Sequence, residues 1–151
     1  MTDFKVTPNS KRRLKMWIRF LGATRKSENH LREFLRVNHD STLPRFDVMA
    51  ALFRMQDGVT MSELSRLLLV SNGNATAVVD RLEKEQLVKR KHSPTDRRSV
   101  SVALTTKGLV QFEQLAADHE REINKLFAGF SDSDVDTLTE ILKRFGQGTA
   151  P

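Results

Sequence analysis

The chain has 151 residues, 38% hydrophobic and 29% charged, which predicts one soluble domain without a membrane span, since no apolar run approaches ~20 residues. Its lack of cysteine excludes disulfides, thiol redox switches, cysteine nucleophiles and cysteine-ligated zinc, and the four scattered histidines show no metal-binding spacing. The net charge of +6 indicates a polyanionic partner, and an amino terminus without a secretion signal predicts a cytoplasmic protein.

The amino-terminal part is predicted to form a flexible arm and one long helix. Residues 1–9 include Pro8 and Asn9 and are typical of an arm, and Ser10 can cap a helix that runs to about Asn38. Apolar residues recur at helical spacing, at Leu14, Trp17, Ile18, Leu21, Leu31, Phe34 and Leu35. Since ~30 residues exceed the usual length of a helix in a globular domain, we expect this helix to contact a second subunit or to bridge two regions.

A second helix is predicted after the break at residues 39–42. Pro44 suits its first turn, and Asp57-Gly58 is a typical stop signal. Its predicted apolar face consists of Phe46, Val48, Met49, Leu52 and Phe53. Val59 and Thr60 can add a short third strand to the sheet that follows.

The stretch from Thr60 to Thr105 is predicted to form a helix-turn-helix followed by a two-stranded wing. Residues 60–63 have the pattern of a capping box, and an apolar face follows at Leu64, Leu67 and Leu68. Residues 70–74 are typical of a turn. The second helix then has an apolar side with Ala75, Val78, Val79 and Leu82, and a charged side with the pairs Asp80/Lys84 and Arg81/Glu85.

An alternative exists for the middle of this stretch. Asn72-Gly73 between apolar runs is a strong hairpin signal, so that residues 67–70 and 75–79 could form two strands. The capping box on one side and the charge pairs on the other favour two helices.

Beyond Leu87, apolar and polar residues alternate over 88–92 and again over 100–104, which predicts two strands joined by the turn of residues 93–98. Basic residues outnumber acidic ones over residues 81–98, from the end of the preceding helix to the wing turn. The basic residues are Arg81, Lys84, Lys89, Arg90, Lys91, Arg97 and Arg98, against Glu83, Glu85 and Asp96. This excess favours contact with nucleic-acid phosphates.

Two further helices are predicted at the carboxyl end, the first capped by Thr105 and the last beginning at residues 131–134. The predicted organisation is therefore one mainly α domain with a small β wing, in which residues 10–39 and 105–147 form dimerisation helices around a winged helix-turn-helix at 44–104. Phe4, Trp17, Phe127, Phe130 and Phe145 lie far from that core in sequence, and a homodimer would bury them. Two recognition helices ~34 Å apart would then read a pseudo-palindromic DNA site.

Residues 96–108 (DRRSVSVALTTKG) resemble the D-x-R…L-T-x-x-G signature of the MarR (multiple antibiotic resistance regulator) family. Residues 79–83, followed by Leu87-Val88, are similar to that family's recognition-helix segment. The resemblance implies a homodimeric winged-helix transcription factor, most often a repressor that a small ligand releases from DNA. It places Arg98 at the wing tip in the minor groove, steadied by Asp96. Base edges would meet Ser71, Asn72, Asn74, Thr76 and Ala77, and phosphates would meet Arg81, Lys89 and Arg97.

The resemblance also bears on the ligand. The lack of cysteine excludes the peroxide-sensing branch, and residues 38–49 are similar to the corresponding stretch in regulators of aromatic-acid catabolism, some of which respond to hydroxycinnamoyl- or benzoyl-type coenzyme A thioesters. The family pocket lies between the first, second and fifth helices. An aromatic ring would meet Trp17, Phe20, Phe46 and Met49, and a carboxylate or phosphates would meet Arg36, His39 and Arg45. The alternative is that the aromatic residues are plain core and the cations solvated.

The leading hypothesis is therefore a ligand-responsive DNA-binding repressor without cofactor, metal or membrane partner. The alternative is a winged-helix protein-interaction module that does not bind DNA. An enzyme lacks support, since no nucleophile-base pair, phosphate-cradling loop or metal set stands out.

Overall fold

The computed structural model describes residues 6–68, 72–96, 98–145 and 147, and within them it has six helices and three strands. The helices are α1 (Pro8–His39), α2 (Leu43–Arg54), α3 (Met61–Leu68), α4 (Asn72–Lys84), α5 (Thr106–Leu126) and α6 (Asp132–Arg144). The strands are β1 (Val59–Thr60), β2 (Val88–His92) and β3 (Val100–Leu104). This order confirms the predicted mainly α fold with a small β wing. The chain divides into two compact units, residues 1–117 and 118–151.

The N-cap of helix α1 lies three residues earlier than expected. Thr7, not Ser10, is the N-cap: the Thr7 side chain accepts a hydrogen bond from the backbone N–H of Ser10, and the Ser10 side chain accepts one from the backbone N–H of Thr7. Pro8 takes the first helical position, where its missing N–H leaves no intrahelical bond unmade. The prediction that residues 8 and 9 belong to an arm is therefore wrong, and residues 1–5 lie outside the described residues. The helix ends where Asp40 adopts a left-handed conformation, with φ of 46°.

The apolar stripe of α1 has two different halves. Leu31 and Leu35 are buried, whereas Leu14, Trp17 and Ile18 are 56%, 51% and 59% exposed in the single chain. Helical spacing alone does not distinguish the buried half of the stripe from the exposed half. The amino-terminal half of α1 therefore has an apolar face that the described part of this chain does not cover.

The core of the first unit lies between α2, α3, α4 and the sheet, with α1 and the start of α5 packed against it. Phe112 of α5 lies with its ring centre 5.7 Å from that of Phe46 and 5.1 Å from that of Phe53. The other buried members include Leu35, Val48, Met49, Leu52, Leu64, Val79, Leu82 and Val102. Leu67, which the sequence placed on the apolar face of α3 with Leu64 and Leu68, is 51% exposed.

The sheet is antiparallel, with the strand order β1-β3-β2. Val102 of the central strand pairs with Val59 of β1 on one side and with Arg90 of β2 on the other. The short third strand is thereby confirmed. The alternation of β3 follows from this position, because Val102 faces the core completely buried while its neighbours in sequence are only partly covered.

The junction between the wing and α5 explains the threonine and the glycine of the T-x-x-G motif. The Thr105 hydroxyl donates to the backbone carbonyl of Gln86 (2.6 Å) and accepts from the backbone N–H of Gly108 (3.0 Å), which confirms Thr105 as the cap. A Cβ atom at Gly108 would lie 2.0 Å from the carbonyl oxygen of Leu87. Only glycine lets the first turn of α5 lie this close to the chain that enters β2.

In the second unit, α6 has the predicted capping box. The Ser131 hydroxyl accepts from the Asp134 N–H, and the Asp134 carboxylate accepts from the Ser131 N–H, so these hydrogen bonds lower the pKa of Asp134. Val135, Leu138, Ile141 and Leu142 are exposed along one side of the helix. Among the described residues, none of the helices combines the length and the apolarity needed to cross a membrane.

Candidate nucleic-acid interface

Helix α4 presents a polar outer face because its apolar residues anchor the opposite one. Ala75, Val79 and Leu82 are buried, and Asn74, Thr76 and Ala77 are exposed. The first set recurs at four and three residues, which is the spacing of one helical face. Among the predicted base contacts, Ser71 lies outside the described residues and Asn72 begins the helix.

Asn72 and Gly73 both lie in the first turn of α4, so the hairpin alternative for this segment is wrong. The Asn-Gly pair is compatible with a helix here because it stands at the helix end. Glycine disfavours the interior of a helix chiefly because its backbone loses more conformational freedom than that of other residues. This cost matters less in the first turn, where the backbone N–H groups have no intrahelical partners.

Arg90 connects the wing to α4. Its Nη2 donates to Asp80 (2.6 Å) and its Nη1 to Glu83 (2.9 Å), so that one guanidinium on β2 holds two carboxylates on successive turns of the helix. Burial lowers the pKa of Arg90, but the hydrogen bonds with Asp80 and Glu83 outweigh it and raise the pKa overall. The prediction that Asp80 pairs with Lys84 is wrong, because this carboxylate pairs across the fold with Arg90.

A second ion pair ties the end of α4 to α2. Glu85 accepts from Nη2 of Arg45, whose side chain is largely buried, so the predicted pairing of Glu85 with Arg81 is also wrong. Lys107 of α5 donates to the backbone carbonyl of Glu85 at 3.0 Å. The helix is thus held at its carboxyl end by neighbours from two other elements.

Sequence reasoning missed Arg90, although a signal was present. Val88, Arg90 and His92 lie on the same side of β2, and Val88 of that set is fully buried. An arginine beside a buried position requires hydrogen-bond acceptors. The carboxylates three residues apart on α4 supply them, but their identity depends on how β2 folds back onto the helix.

The wing tip is closed by backbone and carboxylate hydrogen bonds. The Asp96 carboxylate accepts from the backbone N–H of Arg98 (3.0 Å), and the Ser99 N–H donates to the Asp96 carbonyl (3.1 Å). The Ser93 N–H donates to the Ser99 carbonyl at 2.9 Å, which joins the two ends of the turn. Asp96 thus shapes the backbone that carries the exposed Arg98, while Arg97 lies outside the described residues.

The side chains that stay exposed without an ion pair on this surface are mainly basic. The carboxylates of Asp80, Glu83 and Glu85 are engaged in the ion pairs above. Among the described residues of α4 and the wing, the exposed basic side chains are Arg81, Lys84, Lys89, Lys91 and Arg98. A row of cations beside a polar helix face is the arrangement that phosphate contacts require.

The predicted effector residues fall in four places. Phe46 and Met49 belong to the core, and Trp17 and Phe20 are exposed neighbours on α1 with ring centres 6.4 Å apart. Arg36 and Arg45 line a cleft of about 590 Å³, together with Arg32 and Arg81. His39 is partly buried, and its ring lies edge-on to Phe34, with centres 5.5 Å apart. In the described part of the chain, no group of histidine and carboxylate side chains could hold a metal ion.

Comparison with known proteins agrees with this arrangement. The model of the MarR family matches residues 41–100, from the turn before α2 to the first residue of β3. The HTH-type transcriptional regulator MhqR of Bacillus subtilis (strain 168) is 32% identical over 133 residues, which cover 88% of this chain and 90% of MhqR.

Two solved structures extend the comparison to the fold. A mutant of MarR from Escherichia coli complexed with operator DNA has a TM-score of 0.76 and 28% identity, covering 88% of this chain and 94% of that one. The MarR family regulator Sco3205 from Streptomyces coelicolor, in complex with DNA, has a TM-score of 0.81 and 22% identity, covering 97% of this chain and 91% of that one, and shares the fold.

Proposed function

The chain belongs to the MarR family of DNA-binding transcriptional regulators, and from this premise we propose that it is a cytoplasmic homodimeric repressor that a small aromatic ligand releases from a pseudo-palindromic operator. The observation that carries the proposal is the outer face of α4, polar and exposed, with the basic wing attached to it through Arg90. A helix and a wing held together in this way can enter adjacent grooves of one duplex.

The proposed DNA contacts fall into three classes. Asn74, Thr76 and Ala77 face base edges from α4, since an amide can pair with adenine and a methyl group can contact thymine. Arg81 and Lys89 contact phosphates, and Arg98 enters the minor groove from the wing tip. The exposure of all six side chains supports these roles. Ser71, Asn72 and Arg97 belong to the proposed set from their places in the sequence, and Asp96 belongs to it because its carboxylate accepts from the backbone N–H of Arg98.

The homodimer is proposed from apolar surface in each unit. In the first unit, α1 exposes Leu14, Trp17 and Ile18, and in the second, α6 exposes Leu138 and Ile141. Several large apolar residues exposed on one helix indicate an interaction site. A second copy of the chain would cover it symmetrically, and the symmetry would present two copies of α4 to the DNA.

The effector is proposed to be an aromatic acyl-coenzyme A, of the hydroxycinnamoyl or benzoyl type, rather than the free acid. The proposed contacts of the ligand's aromatic ring are Trp17, Phe20, Phe46 and Met49. Arg36, His39 and Arg45 are the proposed contacts of the coenzyme A phosphates. This assignment is supported by the cleft that Arg36 and Arg45 both line, and His39 follows Arg36 by three residues on α1.

One experiment tests the core of the proposal and separates it from a protein-interaction module. DNA fragments captured by the purified protein are sequenced, and binding to the enriched site is measured as salt is increased. We expect the logarithm of the affinity to fall linearly with the logarithm of salt concentration, as contact with several phosphates requires. Capture of no common sequence, or a flat salt dependence, would refute DNA binding.

Gel shifts then test the effector. The enriched site is incubated with the protein and either benzoyl-coenzyme A or benzoate at equal concentrations. Release by the thioester alone is the expected result. Release by the free acid alone would remove the thioester proposal and leave DNA binding intact.

A further inference from the structure

The amino-terminal half of α1 carries a run of basic side chains along one side. Seven lysine and arginine residues lie between positions 11 and 26, and the first acidic residue of the helix is Glu28. Five of the seven recur at intervals of three, four or seven residues, which places them on the same side of a helix. These five, which we call the α1 ridge, are Lys11, Arg12, Lys15, Arg19 and Lys26.

The α1 ridge faces away from the core. Leu31 and Leu35 mark the buried side of the helix, and Trp17 lies on that side because it precedes Leu35 by 18 residues, or about five turns. All five ridge side chains are exposed. A second copy of the chain that covers Trp17 would therefore approach α1 from the side opposite to the ridge.

The charges of the ridge are not neutralised by the described part of the chain. The ion pairs among those residues include none of the five ridge cations. Further along α1, by contrast, Arg36 is paired with Glu33. Unneutralised cations in a row create a positive potential that attracts a polyanion.

The ridge continues the side of α1 that borders α4. Arg19, Lys26 and Glu33 follow one another at intervals of seven residues, so Glu33 lies on the ridge side of the helix. Glu33 and Arg81 of α4 line the same cleft, and both helices belong to the first compact unit. From Lys26 to Lys11 the ridge then extends for about 22 Å, which is roughly two-thirds of the ~34 Å turn of B-DNA.

We propose that the α1 ridge binds the phosphate backbone of duplex DNA outside the bases that α4 reads, as a second contact with the same duplex. Contacts of this kind add affinity without reading sequence, because phosphates are alike at every base pair. Five cations in a row match a duplex that carries one negative charge per roughly 1.7 Å of its axis. The proposal rests on the proposed function, since it requires α4 to face an operator.

The composition of the ridge favours DNA over a lipid surface. A helix in a membrane interface inserts a wide apolar face between the lipids. On the ridge side, the positions seven and fourteen residues after Lys15 are Gly22 and Asn29, and neither side chain inserts into lipid. The exposed Trp17 lies on the other side, where the proposed homodimer covers it.

Fluorescence anisotropy with two duplexes tests the second contact. One duplex contains only the enriched site, and the other extends it at each end by about 15 base pairs of unrelated sequence, which is more than one turn. The wild type should bind the longer duplex more tightly and with a steeper dependence on salt. In the ridge variant Lys15→Gln/Arg19→Gln/Lys26→Gln, the slope of log affinity against log salt on the longer duplex should become smaller by about 2–3 per subunit. Its preference for the longer duplex should be lost.

A control variant removes the same net charge from the second unit. Arg121→Gln/Lys125→Gln/Lys143→Gln replaces three cations that are in ion pairs with residues three positions away on α5 and α6. It should keep the wild-type preference for the longer duplex. If both variants keep that preference, or both lose it equally, the ridge makes no specific contact with DNA and the proposal is overturned.

Two further measurements identify other partners for the ridge. Sedimentation velocity would overturn the proposal if the ridge variant alone became a monomer, since the ridge would then belong to the subunit interface. Cosedimentation with phosphatidylglycerol vesicles would overturn it if the ridge variant lost vesicle binding but kept its preference for the longer duplex. If the wild type binds no DNA, the proposed function fails together with this proposal, whereas equal affinity of the wild type for the two duplexes removes only the ridge contact.

Discussion

Replacing Arg90 with glutamine should loosen the wing from α4, the proposed recognition helix. The substitution removes both charge-assisted hydrogen bonds, at 2.6 Å to Asp80 and 2.9 Å to Glu83. The carboxylates are 52% and 43% exposed and the arginine 23%, so each bond belongs near the upper end of the range for exposed pairs, about 0.5–1 kcal/mol. We therefore expect Arg90→Gln to lower the free energy of unfolding by about 1–2 kcal/mol.

The effect on DNA binding has two sources. The wing and α4 would no longer keep a fixed spacing, and two unpaired carboxylates would stand beside the DNA phosphates. We expect operator binding to weaken roughly 10-fold, equivalent to about 1.4 kcal/mol. The assays are urea unfolding for stability and fluorescence anisotropy for the operator.

Lys91→Gln is the matched control, because it removes one charge from the neighbouring, exposed position of the same strand. It should leave stability unchanged and reduce DNA binding only through the lost charge. Replacing Asp80 and Glu83 with their amides in the Arg90→Gln background should recover part of the DNA affinity, since the repulsion is removed. If Arg90→Gln and Lys91→Gln have the same stability and the same affinity, the connection between β2 and α4 does not position the wing.

Three further changes have defined outcomes. Arg98→Ala should weaken operator binding by about 1–3 kcal/mol in a gel shift, and unchanged affinity would contradict its place in the groove. Gly108→Ala should destabilise the fold by ~3 kcal/mol in urea, since its Cβ meets a carbonyl oxygen at 2.0 Å, while Gly22→Ala, with nothing within 4 Å, should stabilise by about 0.5–1 kcal/mol. Because its hydrogen bonds with Ser131 lower the pKa of Asp134, the ionised carboxylate stabilises the fold above the ordinary aspartate pKa. This stabilisation is lost as the pH falls from the ordinary pKa toward the lowered one. In an acid titration followed by circular dichroism, Asp134→Asn should therefore lose less helix over this pH range than the wild type.

Local chemistry explains why most elements were predictable. The capping boxes at Thr60/Glu63 and Ser131/Asp134 use residues three apart, and both form as expected. The strands of the wing follow from alternation, which depends only on the nearest neighbours along the chain. Where the two residues of an interaction lie within one helical turn of each other, the local sequence is enough to predict the contact. The start of α1 was mispredicted because Thr7 and Ser10 are both suitable N-cap residues and the sequence pattern does not distinguish between them.

The partners of the charged residues were not predictable in the same way. The pairing rule for residues four apart assigned Asp80 to Lys84, yet Asp80 meets Arg90, 10 residues away, and Glu85 meets Arg45, 40 residues away. Such contacts depend on how β2 and α2 pack against α4. Helical periodicity has the same limit, since it marks Trp17 and Leu35 alike, although one is exposed and the other fully buried in the single chain.

The recognition helix is attached to the rest of the fold by two kinds of interaction that respond to different perturbations. Ala75, Val79 and Leu82 anchor its buried face through apolar contact, which a competing anion does not weaken. Its charged side is tied by Arg90 to the wing and by Arg45 to α2, and such ion pairs do respond to anions. Because Arg45 also lines the cleft, an anion bound there would compete with Glu85 while leaving the apolar anchor intact. We therefore expect the proposed effector to change the orientation of α4 and not its folding, so that the helix content measured by circular dichroism stays constant across the concentrations that release DNA.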